Sequence, residues 1–430
     1  MLYWRLKRFN MKKLFALFVF ACAAIAVFAQ GVPDTELSRN IRQMPQRAST
    51  NVHSYEFAPL YDTPAPKGYK PFYISHYGRH GSRSDGKEKN YIKLREQLAA
   101  AAREDQLTKD GLRLYVATKE IASQFNGMPG RLTPRGRREH AAIAERMYHR
   151  YPAVFKKGSK KITARSSTVP RCIVSMNAFT NRLIALQSDL DIDLDTGEAF
   201  MKYIGRGDNK EIREATAPVL DSLYNAYPQD TTAILARLFK DPDYARSHIQ
   251  SVYRLQRNVY QVAKAAEAFD INENLFDLLP EEAVYRWSDC SSMSMYLRQC
   301  NSLMMGDVRM PRARLLVDDI VRRADEVIAG AERAADLRFG HDWPFLGLVC
   351  YFGLEGVSER MTLQEAQGKW VGGIYTPFAA NFQIIFYRKP GAEVLVKFLM
   401  NEKETMVPEL TAVSGPYYRW NDVKARLQKL

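Results

Sequence analysis

Apolar residues fall into two regimes along this chain. Short continuous runs of strand length occupy residues 71–76, 161–166, 335–340, 381–388 and 394–400, all toward the two ends. Between them, from about 190 to 330, apolar positions recur at helical spacing, as in Ile234 to Leu238, Ile249 to Phe269 and Ala313 to Ala334. Polar turns such as Gly205-Arg206-Gly207-Asp208 punctuate that stretch, and an apolar helical run from Trp343 to Leu354 follows the third strand. Strands alternating with helices at both ends predict an α/β fold: a doubly wound, mostly parallel sheet sandwiched by helices. The helical middle reads as an inserted α-helical cap, with the α/β core at about 50–185 and 335–430 and the cap at about 190–330. Ligands of such sheets bind beyond the carboxyl ends of the strands. The residues that follow 76, 164 and 340 therefore carry the interest.

The first of these strands runs into Arg79-His80-Gly81-Ser82-Arg83. Two guanidinium forks can grip the oxygens of a phosphate monoester, and Gly81 lets the backbone approach the ligand. The imidazole between them is left facing phosphorus as a nucleophile. The second strand ends at Arg165-Ser166-Ser167, with Arg171, Ser175 and Phe179 on the helix beyond, and the third ends at His341-Asp342. Leu132-Thr133-Pro134-Arg135-Gly136 reads as a helix start, with Thr133 as N-cap and Pro134 in the first turn.

Taken in chain order, these segments resemble the histidine acid phosphatases, with their R-H-G-x-R signature, strand-Arg-Ser-helix segment and His-Asp dyad. The resemblance runs from about Tyr55 to the C-terminus, and the strands near 381–388 and 394–402 look like the closing pair of the multiple inositol-polyphosphate phosphatase branch. That branch usually carries His-Ala-Glu where this chain has His341-Asp342-Trp343, the form of bacterial phytases and general acid phosphatases. The resemblance implies His80 as nucleophile and Asp342 as proton donor. It also implies a phosphate site made by Arg79, Arg83, Arg165 and His341. Arginines then take the part that metal ions play in other phosphatases, so neither metal nor cofactor is expected.

Composition narrows the setting. Arg5, Lys7, Arg8, Lys12 and Lys13 precede an apolar stretch from Leu14 to Phe28, and Val27-Phe28-Ala29 offers a cleavage site. Residues 1–29 thus read as a signal peptide, too short for a comfortable membrane span, with Met1 or Met11 as initiator. The expected location is periplasmic or secreted, with no stable membrane insertion after cleavage. The net charge is +14, and about +9 once the five basic residues of that segment are removed. A positive surface suits an anionic substrate; the basic residues are dispersed and match no nucleic-acid module, so no nucleic acid is expected. Cys172, Cys290, Cys300 and Cys350 remain, an even number with three possible pairings. Cys290 and Cys300 are close enough in sequence to close a small loop, while Cys172 and Cys350 read equally as buried thiols. No zinc spacing, P-loop or Gly-x-Ser-x-Gly occurs.

The expected function is an exported phosphomonoesterase acting on inositol polyphosphates such as phytate. A general acid phosphatase for sugar or glycerate phosphates and a non-catalytic polyanion-binding surface protein are the alternatives.

Overall fold

The computed structural model describes residues 31–86, 89–125, 127–205, 207, 209–225, 232–306 and 310–430. The proposed signal peptide, Lys87 and Glu88 after the signature, and Arg206 and Asp208 of the polar turn lie outside them. The strands are β1 (Lys70–Arg79), β2 (Lys161–Ser166), β3 (Asp191–Thr196), β4 (Ala335–Gly340), β5 (Asn381–Arg388), β6 (Leu395–Met400), β7 (Lys403–Thr405) and β8 (Tyr417–Arg419). Their order in one sheet is β3-β2-β4-β1-β5-β6-β7, with β8 pairing β6. The half that positions the signature, β3-β2-β4-β1, is parallel throughout. β5 and the closing strands add antiparallel partners on the far side of β1.

Helices up to the third strand's partner are α1 (Glu36–Gln43), α2 (Lys89–Arg103), α3 (Lys109–Phe125), α4 (Pro134–Arg150) and α5 (Pro170–Leu186). The middle of the chain supplies α6 (Glu198–Ile204), α7 (Lys210–Asn225), α8 (Thr232–Leu238), α9 (Pro242–His248), α10 (Val252–Ala266) and α11 (Glu281–Gln299). Then come α12 (Met310–Ile328), α13 (Asp342–Phe352), α14 (Leu363–Ala366), α15 (Gly372–Tyr375) and α16 (Trp420–Gln428). No helix among the described residues is long and apolar enough to cross a membrane.

Both faces of the sheet are covered, which is why its strands read as continuous apolar runs. On one face Ile74, Ile162, Leu337 and Phe339 pack with Ile143 and Met147 of α4 and with Met176 and Phe179 of α5. On the other, Tyr73, Tyr77, Ile384 and Phe398 meet α11, α12 and α13.

The helical region departs from the expected reading at its start and in the helices that join it. Residues 191–196 form an edge strand of the sheet rather than the start of the cap. Leu94 and Leu98 of α2 and Leu114 and Ile121 of α3 share a separate apolar cluster with Leu235 of α8 and Val259 and Val262 of α10. Two amphipathic helices before the second strand thus bury their apolar stripes against the inserted ones, because neither set has enough sheet surface to cover. The four described cysteines are buried free thiols. Cys290 lies in α11 and Cys300 caps its end, ten residues apart, so a helical rise of about 15 Å separates them and no bridge can close.

Candidate active site

β1 delivers the signature to the centre of the sheet. Its last residue, Arg79, takes a backbone hydrogen bond to Ala380, and the His80 N–H donates to Gly340 at 3.0 Å. The chain then turns against the start of α4. A Cβ on Gly81 would lie 2.5 Å from the Gly136 carbonyl oxygen, and one on Gly136 would lie 2.3 Å from that of Ser82. Two glycines therefore permit a backbone contact that no other residue allows. Thr133 caps α4 as expected, accepting from the Gly136 N–H, and its own N–H and hydroxyl both donate to the Ser82 carbonyl. Buried Glu139, one turn further on, receives the Ser82 N–H at 2.7 Å and the Ser82 hydroxyl at 2.6 Å. The loop is held from below at nearly every donor.

His80 is 3% exposed. Its Nδ1 lies 3.0 Å from the Gly81 carbonyl oxygen. A carbonyl only accepts, so Nδ1 carries the proton and the lone pair sits on Nε2. Burial, followed by the charges of Arg79, Arg171 and Arg83 and by His341, holds the ring well below the usual histidine range. The imidazole is neutral, with one nitrogen ready to attack.

Arg79 is 1% exposed and donates through Nη1 to the carbonyls of Asn51 (2.5 Å) and Thr376 (2.9 Å). Arg79 and Arg83 both stack over the Phe378 ring, at 4.9 and 5.8 Å from its centroid, and the His80 ring lies 5.9 Å from the same ring. One aromatic face thus carries two guanidiniums.

Arg165 does not join this group, which corrects the sequence expectation. Its guanidinium bonds the carbonyl and carboxylate of Asp193 on the edge strand, at 2.8 and 2.5 Å, and lies over Phe200. Alternation along β2 turns Ile162, Ala164 and Ser166 to the buried face and Arg165 away from it. Arg171 takes the third position: its charge acts on both His80 and Arg79. Pro170 opens α5, so Arg171 sits in the first turn and shares a face with Ser175, four residues on. The Ser175 hydroxyl accepts the Gly81 N–H at 3.2 Å, which aims that face at the signature. The i, i+4 spacing of Arg171 and Ser175 was the readable signal.

From the opposite strand, β4 brings up His341 and Asp342. The His341 ring meets His80 edge-on at 5.6 Å, and its Nε2 lies 3.2 Å from the Ser167 hydroxyl. The Tyr77 hydroxyl clips its backbone, receiving the His341 N–H at 3.0 Å and facing its carbonyl at 3.1 Å. Asp342 opens α13. Its Oδ2 accepts from Asn51 at 2.9 Å and lies 3.4 Å from Arg79 Nη2, while Oδ1 accepts the Trp343 N–H at 3.1 Å. Burial favours the neutral acid, but the charge of Arg79 and the Asn51 hydrogen bond together hold this carboxyl below the usual range.

Asn51, Phe378, Thr376 and Glu139 carry parts of this site that the sequence reading did not name. Asn51 and Asp342 are 291 residues apart, and no local pattern marks such a pair. Asp85, a carboxylate close to the signature in sequence, is engaged by the Gly86 N–H and the Tyr91 hydroxyl. Among the described residues no three His, Cys, Asp or Glu side chains converge as a metal site requires. The assembled groups can bind a dianion, offer it a nitrogen nucleophile and present a carboxyl to a departing group.

The model of the histidine phosphatase superfamily (branch 2) matches residues 78–401. Multiple inositol polyphosphate phosphatase 1 of Gallus gallus is 23% identical over 303 residues, 64% of this chain and 64% of that protein. The match therefore spans just under two thirds of that relative's length. Among solved structures, Bifidobacterium longum multiple inositol polyphosphate phosphatase in complex with inositol hexasulfate is similar with a TM-score of 0.69 at 18% identity, covering 89% of this chain and 97% of that one. The phytase from D. castellii is similar at 0.66 with 14% identity, covering 89% and 85%.

Proposed function

The chain belongs to branch 2 of the histidine phosphatase superfamily, and from that premise we propose that it is an exported phosphomonoesterase hydrolysing inositol polyphosphates through a phosphohistidine intermediate. The observation that carries this reading is the neutral, buried His80, its proton fixed on Nδ1 and its Nε2 lone pair set among Arg79, Arg83 and Arg171. In the first half-reaction Nε2 attacks phosphorus as the ester P–O bond breaks, and the three arginines with His341 balance the charge on the equatorial oxygens. Asp342 gives its proton to the departing alkoxide. In the second half it takes a proton from water, whose oxygen displaces His80 from phosphorus. An arriving dianion screens Arg79 and Arg83, whose charges, with the Asn51 hydrogen bond and His341, hold the Asp342 carboxyl below its usual range. Substrate thus restores the acid it needs, and activity on alkyl phosphates falls as pH rises through the acidic range.

Two cap residues support a polyphosphate over a simple ester. Arg257 and Lys264 lie seven residues apart on α10, on one face. Burial, followed by the charge of Arg257 and, more weakly, that of Arg83, brings the Lys264 ammonium down to about 8 against the pull of Asp85. It stays charged in acid, where a second phosphate would meet it. The relatives' names point the same way. Export rests on residues 1–29, whose basic segment and apolar stretch have the signal-peptide pattern.

The test is phosphate release from phytate beside glucose phosphate, with acid-quench trapping of labelled enzyme. Phytate preference, a labelled histidine in the wild type, and neither label nor turnover in a folded His80→Ala variant are expected. Equal rates on both esters would favour the general acid phosphatase. Turnover in the His80→Ala variant would end the covalent scheme.

A further inference from the structure

We propose that Asn51 is a positioning residue for the proton donor, locking the Asp342 carboxyl to Arg79 so that the acidic proton is carried on Oδ1. The inference rests on the phosphatase reading above and adds to it a residue from outside every motif of the chain.

Asn51 makes two contacts that close a ring. Its backbone carbonyl accepts from Arg79 Nη1 at 2.5 Å, and its side-chain Nδ2 donates to Asp342 Oδ2 at 2.9 Å. Arg79 Nη2 completes the ring, 3.4 Å from the same Oδ2. Oδ2 thereby takes both the Asn51 hydrogen bond and the Arg79 ion pair. Oδ1 accepts the Trp343 N–H and keeps a lone pair that can take the proton. A carboxyl free to rotate about its Cβ–Cγ bond would present either oxygen; this one presents one.

The backbone around Asn51 is built to hold that pose. Thr50, buried and β-branched, adopts φ 54° and ψ −123°, a strained conformation that persists only where the surroundings enforce it. On the other side, His53 is fixed by both ring nitrogens, 2.9 Å from Glu267 and 2.8 Å from Glu56. The Ser54 N–H also bonds Glu267, and the Ser54 hydroxyl meets that of Ser82 at 2.9 Å. The His53 carbonyl accepts the Phe378 N–H at 2.7 Å. A strained residue on one flank and a clamped one on the other leave Asn51 little freedom, at the point where it spans nucleophile strand and acid helix.

The charged and titratable groups around Asp342 are Arg79 and Arg83 of the signature, its neighbour His341, Tyr77 of β1 and Cys172 of α5. Asn51 changes none of their charges. Its amide stabilises the carboxylate, so its removal should move the Asp342 titration upward.

Three variants test this: Asn51→Leu, Asn51→Asp and, as the reference for complete loss of the acid, Asp342→Asn. Rates are measured against pH on phytate and on nitrophenyl phosphate, whose phenolate leaves without a proton. For Asn51→Leu, kcat on phytate should fall about 10²-fold, the order expected of a misplaced catalytic group, with KM nearly unchanged. Nitrophenyl phosphate should fall far less, and the basic limb on phytate should move to higher pH. Asn51→Asp, which adds a like charge beside Asp342, should move that limb further. Carboxyl-carbon NMR titration of Asp342 gives the same upward shift without any turnover, so the answer stands if a variant is slow. Equal losses on both substrates, with pH profile and NMR titration unchanged, would overturn the proposal and make Asn51 a purely structural contact. A wild type inactive on both esters would instead overturn the phosphatase reading, and with it this one.

Discussion

Under α12 the protein buries arginines in one manner, and at the end of β1 in the opposite one. Arg338 is 2% exposed and bonds Asp319 at 2.8 and 3.0 Å, while Arg323 and Arg333 reach Asp336 at 3.0 and 3.3 Å. Tyr73 and Thr163 complete the Asp336 carboxylate. At the signature, Arg79 is as deeply buried but shares its space with Arg83, Arg171 and His80, and Asp342 is the carboxylate it touches. The consequence shows in the protonation of the two guanidiniums. Against burial, Asp319 and Asp336 raise that of Arg338. Burial, only partly offset by Asp342 and reinforced by Arg83 and Arg171, brings Arg79 down to about 10. One region has its charge matched by the fold, and the other is left with a surplus that a dianion would match.

The widest break in this comparison should come from unbalancing the matched region. Asp319→Ala leaves Arg338 buried with Asp336 and Ser75 as its remaining partners, and should lower unfolding free energy by about 3 kcal/mol, the lower end of the range for a broken buried pair. Denaturant unfolding checks this, and the activity of the folded fraction should not change. In the unmatched region the outcome inverts. Arg171→Ala should lower kcat/KM by about 10²–10³-fold, the order seen when a transition-state donor is lost, with no loss of thermal stability. Arg165→Ala, tied to Asp193 at the sheet edge, should stay within a few-fold of wild type in the same assay; a large loss there would restore the sequence assignment.

A smaller effect sharpens the contrast through pH. His76 of β1 and His140 of α4, both buried, are held down to about 3 chiefly by burial. Below 6.5 the unfolded chain binds protons that the native state refuses, so stability should decline as pH falls from 6.5 toward 3. His53 has the reverse sign. Burial opposes its charge, but Glu267 and Glu56 raise it to about 9, so its contribution is full below 6.5 and is lost as pH rises through 9. Urea unfolding across this range should show a maximum near the middle; a flat acid side would mean that the buried pair takes up protons in the folded state.

The parts of this molecule legible in its sequence are those governed by short-range pattern. β1, β2, β4, β5 and β6 follow from apolar runs, the start of α4 from Thr133 and Pro134, and the placing of His80 and His341 from strand ends. Arg165 and Arg171 show where that stops. Both follow the same apolar run within six residues, and only the alternation of β2 and the helical turn after Pro170 decide which guanidinium faces the site. Asn51 and Phe378 lie beyond any such reading, because their roles exist only once distant segments meet. β3 was missed for a related reason: an edge strand of sequence Asp-Ile-Asp-Leu-Asp-Thr buries little, so its pattern is polar.

The sheet order has a consequence for how the protein is made. β1 is synthesised by residue 79, but its two neighbours are β4 at 335–340 and β5 at 381–388. At about 5–20 residues per second, a ribosome needs about 13–52 s to supply the roughly 260 residues up to the end of β4. During that interval the strand leading to His80 has two open edges and no partner on either, the condition in which strands pair with the wrong neighbour. Long-range closure of this kind is also slow. The chain through β5 is the smallest unit in which the strand leading to His80 is flanked on both sides, so an early stop anywhere before β5 yields no weakened enzyme but a fragment with an unfinished centre.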